Sequence, residues 1–349
     1  MNRGQLTYPE IGQQSVAIAA AWEHLQRQKD WMKRYIGNPE FDEVVFIGSG
    51  SSYYQAQIMA STFRSWLRRP ASAHPSSEVF LFPGQTVAAG RKMLLVGVSR
   101  SGESTEMLLA LDSVKDLTDW TTCGITCCGD SGMTQRTECL ISPLGQEKST
   151  VMTKSFTSMT FLMQAAIAEA AGAPFRQEMA LVMNHSGSKL AEADTFAKQL
   201  TGSHSFTKTI YLGMSGLFWI AQEACLKLKE MSYVWTESYG TLEFRHGPKS
   251  VVEQGTLVVL LVSEAARGYE LKVAEEMQAY GAFVLLVTAA AAEDTAFADA
   301  VFEIGEAGVS DEARAVLYLP VVQYLGYWTA MNKGVNPDEP RNLTQVVKI

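Results

Sequence analysis

Three short apolar runs occur twice in this chain of 349 residues, in the same order and at nearly constant separation. Val44-Val45-Phe46-Ile47, Met93-Leu94-Leu95-Val96-Gly97-Val98 and Gly124-Ile125-Thr126 mark the first half. Tyr211-Leu212-Gly213 follows Phe46-Ile47-Gly48 by 165 positions, Val262-Ser263 follows Val98-Ser99 by 164, and Leu286-Val287-Thr288 follows Gly124-Ile125-Thr126 by 162. A drift of three residues over three landmarks points to one unit used in tandem. Helix-like stretches separate the runs, and that alternation is the pattern of a parallel sheet covered on both faces. The expected class is therefore α/β, with two tandem doubly wound parallel sheets.

Residues 1–40 read as a helical lead-in, in which Val16 to Tyr35 presents Ala17, Ala20, Ala21, Leu25 and Trp31 on an apolar face. The first domain is expected over 41–190 and the second over 200–335. Between them an amphipathic stretch from Met179 to Leu200 is interrupted at Asn184-His185-Ser186-Gly187-Ser188. The segment 336–349 carries two prolines and no long period, so it is expected to be an extended tail.

Charge removes whole classes of partner. With 29 Lys+Arg against 37 Asp+Glu the net charge is −8, and no Lys/Arg run exceeds two residues. Nucleic-acid binders need a basic excess to displace counterions from phosphates, so no nucleic-acid partner is expected. No stretch of 18 uncharged apolar residues is present, and the first seven residues lack the apolar block of a secretory signal, so no membrane association is expected. Cys123, Cys127, Cys128, Cys139 and Cys225 are an odd number in a chain long enough to fold without staples. They read as reduced, in a cytoplasmic protein. The first three crowd one segment but have no histidine nearby, so no metal site is expected, and no cofactor.

In an open parallel sheet the ligand lies beyond the carboxyl ends of the strands. Two loops there are rich in glycine and serine. Gly48-Ser49-Gly50-Ser51-Ser52-Tyr53 leads into a helix expected to start near Tyr54, and Ser99-Arg100-Ser101-Gly102-Glu103-Ser104-Thr105 follows Val98. Hydroxyls, a guanidinium and helix N-termini with unpaired N–H groups are donors for an oxyanion. Helix capping alone is the simpler reading of Ser101 and Ser104, but two such loops after adjacent strands favour a bound phosphate ester. The spacing matches neither GxxxxGK[ST] nor a full GxGxxG, which disfavours a nucleotide.

Farther on, Glu223, Lys227 and Glu230 stand at i, i+4 and i+7, so one helix face would carry acid, base and acid. A solvated salt-bridged face is the plain alternative. Against it, Ala224, Leu226, Leu228 and Met231 share the helix, and carboxylates buried beside a lysine suit proton transfer. Of five histidines, His246 alone precedes a rigid Gly247-Pro248 turn, whereas His24, His74, His185 and His204 read as surface residues.

The loop Ser99 to Ser104 resembles the SxSGxT loop of the sugar isomerase (SIS) domain family, and Gly48 to Tyr53 resembles that family's first-strand loop. The second half is similar to the isomerase domain of glucosamine-6-phosphate synthases. Glu223 to Ser232 matches their ExxLKLKEIS helix, Glu243-Phe244-Arg245-His246-Gly247-Pro248 their ELKHGP loop, and Asp338-Glu339-Pro340-Arg341-Asn342-Leu343 their terminal DxPRNL. Glu10-Ile11-Gly12-Gln13-Gln14 is similar to their EIxxQP segment. The resemblance implies two flavodoxin-like, three-layer α/β/α SIS domains with the tail over the active site. It also implies a homodimer or higher homo-oligomer with shared sites. It assigns substrate phosphate to Ser51, Ser52, Ser99, Arg100, Ser101 and Ser104, with Arg100 where the family has glutamine. It makes Glu230 the base between the two carbons next to the carbonyl, gives ring opening to a neighbouring subunit's copy of His246, and places Glu223 and Lys227 in the same pocket.

Two departures shape the expected activity. The sequence holds no glutaminase domain and no cysteine before Cys123, and Gln345 stands where the synthases carry a Schiff-base lysine. An amide is not a nucleophile toward a ketone. The expectation is an enzyme: a glutamine-independent aldose–ketose isomerase/deaminase on an (amino)sugar 6-phosphate. A fructosamine-6-phosphate deglycase is the alternative in the same class, and a non-catalytic sugar-phosphate sensor the alternative in another.

Overall fold

In the computed structural model, which describes residues 3–86 and 90–349, all of these apolar runs but Val262-Ser263 lie within largely buried parallel strands. The first unit comprises residues 13–183 and 342–349, the second residues 3–12 and 184–341. The first contains β1 (Glu43–Gly48), β2 (Ala71–Pro75), β3 (Met93–Val98), β4 (Trp120–Thr126) and β5 (Cys139–Ile141) in the order β2-β1-β3-β4-β5. The second contains β6 (Lys208–Gly213), β7 (Thr236–Gly240), β8 (Thr256–Leu261), β9 (Phe283–Thr288) and β10 (Ala300–Glu303) in the order β7-β6-β8-β9-β10. All pairings are parallel, so helices cover both faces and the central strands read as continuous apolar runs. This is the flavodoxin-like order, and its switch point falls between β1 and β3 and between β6 and β8.

Each sheet has a core on both faces. In the first unit Val45, Ile47 and Leu95 pack with Met107, Ala110 and Leu111 of the helix Thr105–Val114. Phe46, pointing the other way, meets Phe63 of the helix Ser51–Leu67 at a ring separation of 6.3 Å. In the second unit Ile210, Leu212, Val258 and Leu260 pack with Leu271, Ala274 and Met277 of the helix Arg267–Ala279. Each Val, Leu, Ile, Phe or Met side chain among these contributes about 1.5–3 kcal/mol by leaving water.

The two units share one strand-to-helix junction. A Cβ on Gly48 would come within 2.3 Å of the Ser52 carbonyl oxygen, and one on Gly213 within 2.5 Å of the Leu217 carbonyl oxygen. Only glycine lets the helix turn back this tightly over its strand. The next cap residues also match, Gly50 at φ 57°, ψ −129° and Ser215 at φ 51°, ψ −128°. Both helices, Ser51–Leu67 and Gly216–Ser232, have 17 residues and end on left-handed caps, Arg68 at φ 55° and Tyr233 at φ 58°. All of these pairs are 165 positions apart.

The structure revises three local expectations. The helix after β1 begins at Ser51, three residues before Tyr54, so Ser51 and Ser52 lie in its first turn. The lead-in is broken into helices Thr7–Gly12, Gln14–Leu25 and Lys29–Arg34. The landmark Val262-Ser263 is one position late. The Ser99 N–H donates to the Ile125 carbonyl (3.1 Å) as that of Val262 does to Val287 (2.9 Å), so Ser99 corresponds to Val262 and Arg100 to Ser263. Val262 carries the apolar run one residue past the end of β8, which hides the true end in the sequence.

Replacing Gly48 or Gly213 by alanine forces a methyl against backbone. Each is expected to cost about 1–3 kcal/mol in urea unfolding; an unchanged midpoint would contradict the close approach.

Candidate active site

The first unit's two hydroxyl loops stand side by side at its switch point, because Ile47 of β1 pairs with Gly97 of β3. Ser51 and Ser52 are buried in the first turn of their helix, behind the left-handed Gly50. In the second loop, Ser99 Oγ accepts from the Gly102 N–H (3.0 Å) and Ser101 Oγ from the Glu103 N–H (3.2 Å). Both hydroxyls thus serve as acceptors toward the loop, which leaves their O–H hydrogens to donate outward. Ser104 is the N-cap of Thr105–Val114 yet makes no side-chain cap bond. The loop itself is fixed at Gly102, φ 68°, whose Cβ would meet Ser131 Oγ at 2.3 Å.

Arg100 is engaged with the protein. Its guanidinium pairs with Glu147 at 3.2 Å and donates to the carbonyls of Thr150 (3.1 Å) and Gln345 (3.3 Å). The pair is buried, with side-chain exposures of 6% and 0%. Glu147 also accepts from the N–H groups of Thr153 (2.8 Å) and Ser155 (2.7 Å) at the start of the helix Lys154–Ala171. A buried charge needs such a full set of partners. Glu147 escaped the sequence reading because its partner is 47 residues away and no local pattern links them.

The tail runs along this same loop. Gln345 Nε2 donates to the carbonyls of Lys148 (2.9 Å) and Ser149 (2.7 Å), and the Thr105 N–H donates to the Val347 carbonyl (3.3 Å). Gln345 therefore anchors the tail to this unit.

In the second unit the helix Gly216–Ser232 carries the expected triad. Lys227 Nζ lies 3.3 Å from Glu223 Oε1 and hydrogen-bonds Glu230 Oε2. Lys227 is 1% exposed and Glu223 0%, while Glu230 keeps 18% of its side chain open. Burial alone would lower the Lys227 pKa, but the charges of Glu223 and Glu230 outweigh it and the net shift is upward. Lys227 is thus a charged group enclosed between two carboxylates, and Glu230 is the member that reaches outward. At 1.5 Å per residue Glu230 lies about 20 Å along its helix from Gly216, far from that unit's own strand ends. The close approach of Gly326, 3.4 Å from the Lys227 carbonyl at its would-be Cβ, seats the helix Leu319–Asn332 against this segment.

At the helix end, the Tyr233 hydroxyl accepts from the Arg341 N–H (2.8 Å) and the Arg341 guanidinium lies 4.3 Å over the ring. The sequence reading matched Arg341 to a terminal motif but did not foresee this contact. His246 is exposed, at the end of the turn Glu243–Arg245 and before Gly247 at φ 125°. Phe244, fully buried and 5.3 Å from the Tyr239 ring, fastens that loop from below.

A sequence model of the SIS domain matches residues 41–169 and again 206–325. The chain belongs to the SIS domain family. It is similar to glutamine–fructose-6-phosphate aminotransferase [isomerizing] of Lactiplantibacillus plantarum, 29% identical over 322 residues, which are 88% of this chain and 51% of that protein. The same-named protein of Pseudomonas aeruginosa is 27% identical over 318 residues, 88% of this chain and 51% of its own length. The chain spans about half the length of the curated relatives it matches. Among solved structures, glucosamine-6-phosphate deaminase from Thermotoga maritima superposes with a TM-score of 0.73 at 29% identity, over 95% of this chain and all of that one. Tagatose-6-phosphate ketose/aldose isomerase from Escherichia coli shares the fold at a TM-score of 0.88 and 23% identity, over 96% of this chain and 95% of that one. No helix of the described residues is long and apolar enough to cross a membrane, and no group of three or more His, Cys, Asp or Glu among them could hold a metal.

Replacing Lys227 by methionine strands the Glu223 carboxylate in the interior, and is expected to cost about 3–5 kcal/mol in denaturant unfolding. Because the folded lysine pKa is raised, its stabilisation is complete below the ordinary 10.5 and is lost as pH rises through the folded value. The wild-type chain should therefore lose more stability than Lys227→Met above pH 10.5; parallel profiles would contradict the ion triad.

Proposed function

We propose that the chain is an isomerase/deaminase acting on an amino-sugar 6-phosphate, with Glu230 as the proton-transfer base. The carrying observation is the enclosed Lys227 held between Glu223 and Glu230, of which only Glu230 opens outward. Lysine holds the carboxylate in one rotamer, so its second oxygen can address a carbon acid without a rearrangement.

Glu230 takes the proton from C2 of the open-chain 2-amino-sugar aldehyde and returns it to C1. The electron pair moves through an enolamine, C2 becomes an imine, water adds there, and ammonia leaves with the ketose 6-phosphate as product. With a hydroxyl in place of the amine, the same transfer interconverts aldose and ketose through an enediol. Neither route needs a lysine nucleophile, which agrees with Gln345 serving as an anchor. His246 opens the sugar ring, supplied by another copy in a homo-oligomer.

The phosphate is held by the hydroxyls of Ser51, Ser52, Ser99, Ser101 and Ser104 and by the helix N-termini behind them. Arg100, neutralised by Glu147, contributes by fixing the loop and the tail. The likeness to a glucosamine-6-phosphate deaminase at 29% identity over 95% of the chain supports the deaminating direction.

Assays with 2-amino-2-deoxyhexose 6-phosphates are expected to release ammonia. Glu230→Gln should reduce turnover by about 10³-fold or more while phosphosugar affinity stays within about threefold. Ser101→Ala with Ser104→Ala should raise KM by about tenfold or more with the fold intact. Turnover retained by Glu230→Gln would overturn the base, and an unchanged KM the phosphate loop. Amino-acid release from a fructosamine 6-phosphate, without ammonia from the amino sugars, would point instead to deglycation.

A further inference from the structure

The second unit's strand-end loop already holds anions of its own. After β8, the Ser263 N–H (2.8 Å) and hydroxyl (2.6 Å) both donate to Glu270 Oε2, and the Thr241 hydroxyl, just after β7, donates to Glu270 Oε1 (3.0 Å). The next two N–H groups, of Glu264 (2.9 Å) and Ala265 (3.1 Å), end on the Asp311 carboxylate. Three successive loop amides therefore terminate on carboxylate oxygens, and Asp311 is itself held by the fully buried Arg314. Glu270 is 0% exposed.

The first unit is built differently at the same place. Among the described residues, no carboxylate accepts from the corresponding N–H groups, those of Arg100, Ser101 and Gly102, and the hydroxyls of Ser99 and Ser101 accept from the N–H groups of Gly102 and Glu103. One loop is left with donors to spare, whereas its counterpart has them filled from within.

We propose that Glu270 is the built-in anion of the second unit. Its carboxylate stands at the switch point where the first unit offers donors to a ligand oxyanion, so the second switch point is closed to substrate. By tying Thr241 to Ser263 it also fixes the beginning of the loop that carries His246, so Glu270 is a positioning residue. The comparison with an open first loop rests on the phosphate reading above, but the internal anion itself does not.

Chemical rescue separates the two. Glu270→Ala opens a carboxylate-sized space lined by the Ser263 N–H, the Ser263 hydroxyl and the Thr241 hydroxyl. Its melting temperature is expected to fall by about 5 °C or more. Formate at 100 mM should restore part of that loss and raise kcat in parallel, while formamide, the neutral analogue, should do neither, and the wild-type chain should respond to neither. Equal responses of variant and wild type, or equal effects of formate and formamide, would overturn the proposal. Should Glu270→Ala not accumulate folded, Glu270→Gln decides: an amide places donors against donors, so a clear loss of melting temperature is expected and an unchanged one contradicts it. Loss of sugar-phosphate binding by the first loop would leave the formate result untouched, so the two failures are distinguishable.

Discussion

The junction at Gly48 and Gly213 sets the positions of the other functional groups. A strand that ends on glycine lets the carbonyl four residues later occupy the space of a methyl group, so the helix starts directly over the strand end. In the first unit this brings Ser51 and Ser52 into the first helical turn at the switch point, where N–H groups and hydroxyls converge. In the second unit it fixes the origin of the helix on which Glu223, Lys227 and Glu230 follow at two to four turns. The same local geometry therefore presents serine hydroxyls at a helix N-terminus in one unit and a mid-to-late helical ion triad in the other.

The triad stands on a balance of burial and pairing. A lone lysine this enclosed would tend to lose its proton, and a lone Glu223 would tend to gain one. Together they are charge-compensated, with one net negative charge left on the set and only Glu230 in reach of solvent. Arg100 and Glu147 repeat the arrangement in the first unit, where a buried pair orders a loop, a helix start and the tail. In both places charge is confined by packing, which is why substitutions that remove one partner are costly while their surface counterparts are mild.

Much of this was legible in the sequence. Central strands announce themselves as apolar runs because both faces are covered, and the 3.6-residue period puts Glu223, Lys227 and Glu230 on one face whatever the tertiary context. The edge strands β2, β5, β7 and β10 were missed because they are short and half-covered. Thr236-Glu237-Ser238-Tyr239-Gly240 has neither the composition nor the alternation of a strand until β6 is beside it. Long-range pairs such as Arg100 with Glu147 and Ser263 with Glu270 leave no local trace. Their detection needed coordinates, and with them Arg100 became an organiser of the loop and the tail.

The account centres on Glu230 moving a proton between adjacent sugar carbons, and solvent isotope exchange reads that step directly. Incubation of the chain with a 2-amino-2-deoxyhexose 6-phosphate in deuterium oxide should place deuterium on the carbon that receives the proton, in recovered sugar or product, with the wild-type chain. Glu230→Gln should bind the same sugar and incorporate none above the uncatalysed background. Deuterium incorporated at the wild-type rate by Glu230→Gln would contradict the assignment.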